Sequence, residues 1–246
     1  MSALAGHEAS LRIAGVDVHV RCRDAGSAER VRRWFGGRRE TWSDAVVERS
    51  IAETSLRGSM LHVRRGALEA HADLGSARVV APPNPSLINF LVLAVVSARL
   101  SERAGLLLHA AAIERGGGVL VAFGQSGAGK STLARELGGR VLADEFVALV
   151  RGRRGWRARS TPWWRGGGPP APLGRLVWLV RGEPPSVREV RGGELCAALW
   201  REVGRYVPGA DADRRVFDLC ADLARLGAVR VAAPEGGVVD AVRAAA

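Results

Sequence analysis

From Leu11 to Cys22 apolar and polar residues alternate, with Val16, Val18, Val20 and Cys22 at every second position. A period of two places those side chains on one face of a half-buried strand. Met60 to Ala72 repeats the pattern more weakly around an Arg64-Arg65-Gly66 turn, and Val79-Val80 adds another short strand. Between them WFGGRRETWSD, which begins at Trp34, has no period and reads as an irregular excursion. The first part of the chain is expected to be β-rich.

Clustered prolines in APPNPS, Ala81 to Ser86, close that region, and Ser86 is placed to cap a helix over about Leu87–Arg103. The reading divides the chain into a β-rich region, residues 1–85, and a second domain, residues 86–246. Strand-like runs at Leu106–Ile113 and Val119–Phe123 follow, then a glycine loop, a short helix over Lys130–Leu137 and a strand at Val141–Ala143. Strand, loop, helix and strand in that order predict an α/β core, with α+β as the alternative. Arg151–Gly168 reads as loops around short strands, and Leu176–Val180 as a buried strand. Gly192-Gly193 precedes a helix carrying Leu195, Leu199 and Val203. Val216, Leu219, Cys220, Leu223 and Leu226 stripe another helix that ends at Gly227, and Val229 and Val231 suggest a last strand before an alanine-rich tail.

With 246 residues and 47% hydrophobic content, the chain can build one large domain or a domain with a small companion. The most apolar stretch, Leu87–Leu100, is broken by Asn89, Ser97 and Arg99 and is shorter than the roughly 20 residues of a bilayer span, so a buried helix and no membrane are expected. MSALAGHEAS lacks the basic start and apolar run of a secretory signal. Cys22, Cys196 and Cys220 show no CxxC spacing, so neither a disulfide framework nor a zinc site is suggested. A cytoplasmic location follows as an expectation.

Net charge is +11, and Arg151–Arg191 alone supplies +8, with ten arginines against Glu183 and Glu189. A field of that sign attracts nucleotide phosphates, acidic peptides or nucleic acid, although a solvated loop accounts for it equally. Neither zinc-finger spacing nor an RNP-type aromatic motif accompanies it, so nucleic acid is not expected as a partner. Trp156, Trp163 and Trp164 interleave with arginines and could stack a base or hold a peptide, or could simply pack in the core. A homo-oligomer is left open.

Among 36 basic residues there is a single lysine, Lys130. It stands in Gly124-Gln125-Ser126-Gly127-Ala128-Gly129-Lys130-Ser131-Thr132, which satisfies Gly-x-x-x-x-Gly-Lys-Ser/Thr without a substitution and lies between a strand and a helix. Glycines at 124, 127 and 129 let successive backbone amides wrap a phosphate group, and the helix start adds its positive end. Lys130 supplies a compact ammonium for the β- and γ-phosphates where a planar guanidinium would not fit. Ser131 is positioned to hold Mg²⁺. An acid on a neighbouring strand must complete the metal site or take the proton of an attacking hydroxyl, and Asp144-Glu145 stands only fourteen residues after Lys130. That spacing argues against a simple ATPase.

With LLLHAAAI carrying His109, then GQSGAGKST, then LADEF, the stretch Leu106–Val150 resembles the HPr kinase/phosphorylase family, whose nucleotide-binding domain is related to phosphoenolpyruvate carboxykinases. The likeness continues through STPWW at Ser160–Trp164, APLGRLVWLV at Ala171–Val180 and the last helices, in the manner of small stand-alone members found beside peptide-modification genes. Glu145 stands where the family carries a second aspartate, and the family's EVRGLG signature is lacking, with EVRGG at Glu189–Gly193 only a faint echo of it. The resemblance implies an HPr-kinase-like P-loop nucleotide-binding core with a smaller β-rich N-terminal region. It implies ATP and Mg²⁺, with transfer of the γ-phosphoryl group to a serine hydroxyl of a peptide or protein. In that scheme residues 124–132 bind the nucleotide, Ser131 and Asp144 hold the metal, and Lys130, Asp144, Glu145 and His109 serve catalysis. Taken alone, His109 in an apolar strand reads as a core histidine. The alternative function is a nucleotide-binding module of a peptide-maturation or regulatory complex that transfers no phosphoryl group.

Overall fold

The computed structural model describes residues 7–36, 53–163, 166–182, 185–234 and 236–245. Most of the excursion expected after Trp34, and Trp164 with it, lie outside them. Contacts divide the chain into one unit of Met1–Glu102 with Arg205–Asp213 and a second of Arg103–Gly204 with Arg214–Ala246. Among the described residues the architecture is mixed α/β, with six helices and two sheets that each contain parallel and antiparallel pairs.

In the first unit the alternating run forms two strands, β1 (His7–Ile13) and β2 (Val16–Cys22), paired antiparallel. Ala14 and Gly15 both take positive φ, the backbone of a two-residue hairpin turn that reverses the chain without disturbing the alternation. Helix α1 (Ala25–Phe35) is marked only faintly by the hydrophobic pattern, because its buried stripe of Ser27, Ala28, Val31 and Phe35 holds just two large apolar residues. Its start is nevertheless written in Asp24, whose carboxylate accepts the Ser27 N–H at 2.7 Å. Strands β3 (Glu53–Arg57), β4 (Met60–Arg65), β5 (Leu68–Asp73) and β6 (Arg78–Val80) complete a six-stranded sheet in the order β1-β2-β6-β5-β4-β3.

Helix α2 (Pro85–Glu102) packs against β2, β5 and β6, so the division of the chain falls after Glu102 rather than before Ser86. Asn84, not Ser86, caps it: the Asn84 side chain accepts the Leu87 N–H at 3.0 Å. Pro85 then occupies the first helical position, where its missing N–H costs nothing, and Ser86 is already inside the helix. Asn84→Ala is expected to lower stability by about 1 kcal/mol, read as a shift of the denaturant midpoint at constant slope. By length and composition α2 is apolar enough to cross a membrane, but 61% of it is buried within the protein, as in a core helix.

The second unit carries β7 (Gly105–Arg115), β8 (Gly118–Phe123), α3 (Lys130–Glu136), β9 (Arg140–Gly152), β10 (Gly155–Arg159), β11 (Ala171–Arg181), β12 (Ser186–Val190), α4 (Gly192–Glu202), most of α5 (Ala210–Ala224), β13 (Ala228–Ala233) and α6 (Val238–Ala245). Its sheet runs β10-β9-β7-β8-β11-β13-β12, and β10 pairs with β11 as well as β9. On one face of β7 the residues Leu106, Leu108, Ala110 and Ala112 pack with α4 and α5. Ala111 and Ile113, on the other face, pack with Leu133 of α3 and Val239 and Val242 of α6.

The strand expected at Val141–Ala143 is much longer. The ladder from β7 runs from Arg140 to Val150, so Asp144-Glu145 lies inside β9 and does not end it. The alanine-rich tail forms α6, and β12 escapes the periodic reading because four of its five residues are exposed. Trp156 and Trp163 are buried and pack with the core instead of offering an exposed recognition surface. Cys22, Cys196 and Cys220 are buried and form no disulfide.

Candidate active site

Strand β7 runs antiparallel to both β8 and β9, so those two point the same way and their C-terminal halves lie along one edge of the sheet. Ala110 of β7 faces Phe123 on one side and Glu145 on the other, and Ala111 faces Asp144. The glycine loop therefore leaves the sheet at the level of the two acidic residues. Alternation puts His109, Ala111, Asp144 and Phe146 on the face that also packs α3. One antiparallel strand between two parallel ones is what brings residues from Leu106–Ile113, the loop and LADEF together.

In the loop the glycines answer to the protein as much as to any ligand. Gly124 has φ +147°, and a Cβ there would lie 2.1 Å from the Leu179 carbonyl oxygen of β11. At Gly129, φ +94°, a Cβ would lie 2.8 Å from Val238 Cγ1 of α6. The loop is thus clamped between β11 and α6, with Gln125, Ser126 and Gly127 exposed and Ala128 buried. Gly124→Ala cannot be relieved by a side-chain rotation because the obstacle is backbone, and a loss of about 3 kcal/mol is expected in thermal or chemical unfolding.

Lys130 is buried, and its Nζ donates to the carbonyls of Gly124 at 2.6 Å and Gln125 at 3.1 Å. Burial pushes its ammonium below the ordinary lysine value, while Glu202, Glu145 and Asp144 act in the opposite direction. On α3, Arg135 donates to the Ser131 carbonyl at 3.2 Å and to Thr132 Oγ1 at 3.4 Å.

Asp144 is 4% exposed. The loop's Ser131 acts on its carboxylate, and Oδ1 is buried without a hydrogen-bond partner. Burial raises this carboxyl above its ordinary value, and Glu145 pushes the same way; Ser131, Arg135 and Lys130 pull it down. A buried acceptor without a donor is costly unless something else fills that role. Among the described residues no group of three or more His, Cys, Asp and Glu side chains is arranged to hold a metal ion alone. A hydroxyl and one carboxylate with a free buried oxygen do suit Mg²⁺, which keeps several waters and completes its shell with phosphate oxygens.

His109 is flanked by two carboxylates: its Nε2 is 3.6 Å from Glu145 Oε1 and its Nδ1 is 3.3 Å from Glu202 Oε2. Its ring packs on Phe146 at 5.7 Å, and Phe146 meets Trp163 edge-on at 5.7 Å. Thr161 Oγ1 donates to the Phe146 carbonyl and ties down the turn that carries Trp163. The sequence reading did not include Glu202. Where β8 leaves the sheet after Phe123, the side of β7 beyond Ala110 lacks a strand partner. The segment after α4 takes that slot, with Val203 bridged to Leu108 and the Gly204 N–H donating to the Leu107 carbonyl at 2.8 Å. Glu202, the last residue of α4, is thereby set beside His109. The available signal was weak: an acidic residue at the end of a predicted helix, with nothing to say which strand it would meet.

The structure gathers Lys130, Ser131, Asp144, Glu145 and His109 around the glycine loop and adds Glu202. Trp156 belongs to the core. No protein-family model matches the chain, and no curated protein matches it.

Proposed function

We propose that this site belongs to an ATP-dependent kinase that transfers the γ-phosphoryl group to a serine hydroxyl of a peptide or protein, within an HPr-kinase-like nucleotide-binding core. The observation that carries the reading is Asp144: a carboxylate 4% exposed, acted on by the loop's Ser131 and Lys130, with Oδ1 buried and unpartnered. A purely structural acid in that position would be expected to have its acceptors satisfied. The order of His109, loop and Asp144, which resembles the HPr kinase/phosphorylase family, supports the same conclusion.

Ser131 and Asp144 would hold Mg²⁺, whose charge would offset that of the phosphate oxygens. The backbone amides of residues 124–131 would bind the phosphates. Lys130 would exchange its two loop carbonyls for phosphate oxygens as negative charge shifts toward the leaving group, a stabilisation already arranged in the folded protein. His109, with Asp144 on the same sheet face, lies on the side from which an acceptor hydroxyl would approach. Glu145, which is exposed, borders that approach.

The reading is tested by incubating the full chain with Mg²⁺, γ-labelled ATP and a serine-containing peptide library, followed by mass spectrometry. Phosphoserine that disappears with Asp144→Ala is expected. ATP binding with only slow hydrolysis, whatever acceptor is offered, would overturn it in favour of a nucleotide-binding module.

A further inference from the structure

We propose that Glu202 is the positioning residue of His109: its carboxylate accepts the Nδ1–H, so that Nε2 presents its lone pair to the acceptor hydroxyl. The inference rests on the kinase reading and assigns the proton-accepting atom of the site. The Glu202 side chain is 12% exposed and that of His109 is 19% exposed. Glu202 also closes α4, where the negative end of the helix disfavours a carboxylate. Mostly buried at an unfavourable helix end, it nevertheless lies 3.3 Å from His109 Nδ1. The hydrogen bond at one ring nitrogen decides which nitrogen carries the proton.

The opposite nitrogen, Nε2, faces Glu145 Oε1 at 3.6 Å, beyond hydrogen-bonding distance, and is left to interact with an incoming group. In the transfer step the acceptor O–H gives its proton to Nε2 as its oxygen bonds to the γ-phosphorus. The bond from phosphorus to the bridging oxygen breaks, and its electron pair leaves on ADP. The proton on Nε2 then lies between the carboxylates of Glu202 and Glu145 until solvent removes it. The arrangement works as a base held in one tautomer by a neighbouring carboxylate, with Glu202 touching His109 and not the substrate.

Two measurements test this. The first is nitrogen-15 spectroscopy of the histidine rings at pH 8, with His109→Asn identifying the His109 resonances among the five histidines. Protonated Nδ1 with unprotonated Nε2 is expected in the parent chain, and loss of that preference in Glu202→Ala. A ring that is protonated on Nε2 in the parent, or is unchanged in Glu202→Ala, overturns the proposal. The second is kinetic: Glu202→Ala should lower kcat about 100-fold with the KM for ATP changed less than about threefold. An equal loss carried by KM overturns the proposal. Should Glu202→Ala fail to fold, Glu202→Gln keeps an acceptor for Nδ1–H and is expected to hold the tautomer while still lowering kcat; loss of the tautomer there overturns the proposal. A parent chain that phosphorylates no acceptor overturns the kinase reading, and the ring spectra decide the role of Glu202 independently.

Discussion

Lys130→Arg is expected to preserve the fold and the net charge while lowering phosphoryl transfer by about 100- to 1000-fold. The ammonium sits in a closed space, 2.6 Å from the Gly124 carbonyl and 3.1 Å from that of Gln125, inside a loop clamped by Leu179 and Val238. A guanidinium is wider and planar, and its donors are fixed in a fork that does not match two carbonyls on one tight turn. The cation is therefore expected to be displaced from the phosphate path rather than lost from the protein. The measurement is kcat on a phosphorylated acceptor peptide, with circular dichroism and thermal unfolding to confirm the fold. Near-normal kcat would mean that position 130 needs only a positive charge.

Asp144→Asn is expected to do two opposite things. Phosphoryl transfer should fall by about 1000-fold, because the neutral amide no longer offers a carboxylate to the metal or to the reacting groups. The ligand-free protein, measured in EDTA, should become more stable by about 1 kcal/mol, because a buried charge with an orphan oxygen is removed. A gain of that size would raise Tm by roughly 2–4 °C in a chain of this length. The pH dependence fixes the cause. Burial raises the Asp144 carboxyl above its ordinary value of 3.8. Below that pH the group is protonated in folded and unfolded chains alike, and the variant should gain nothing. As the pH rises above 3.8, the unfolded chain ionises first and the parent loses stability, so the advantage of Asn grows until the folded carboxyl has ionised and is then constant. A gain that persists at pH 3 would point to packing instead of charge.

The site was legible where its chemistry is contiguous. The glycine loop, Lys130 and Ser131 are neighbours in the chain, and Asp144 follows on the next strand, so spacing alone joined them. The purpose of the glycines was only half visible: the close approaches of Leu179 and Val238 at Gly124 and Gly129 depend on elements more than fifty residues away. Glu202 was illegible for the same reason, being set by the bridge between Val203 and Leu108 that fills a gap in the sheet. In the fold, strands with alternating residues were readable, while α1 and β12 were not. The buried stripe of α1 has only Val31 and Phe35 as large apolar residues, and only Val190 of β12 is buried. Reading two carboxylates as a strand end shortened β9, because an acid in mid-strand is tolerated where one face of the sheet opens on a site.

Strand β10 pairs with β9 through Gly155–Arg159 and with β11 through Arg157 and Ala158. What would have been an outer strand of the second sheet is thus bonded on both flanks, and the hydrogen-bonding groups that could recruit a foreign strand are already used there. The opposite margin is β12, whose Arg188 and Glu189 are exposed, Arg188 being held by Glu194. A second molecule extending this sheet would have to break that pairing and line up charged side chains against its own, a deterrent to aggregation through strand addition. For a chain whose loop at residues 124–131 needs an open, glycine-rich backbone, the closure leaves no long adhesive margin at that end of the sheet.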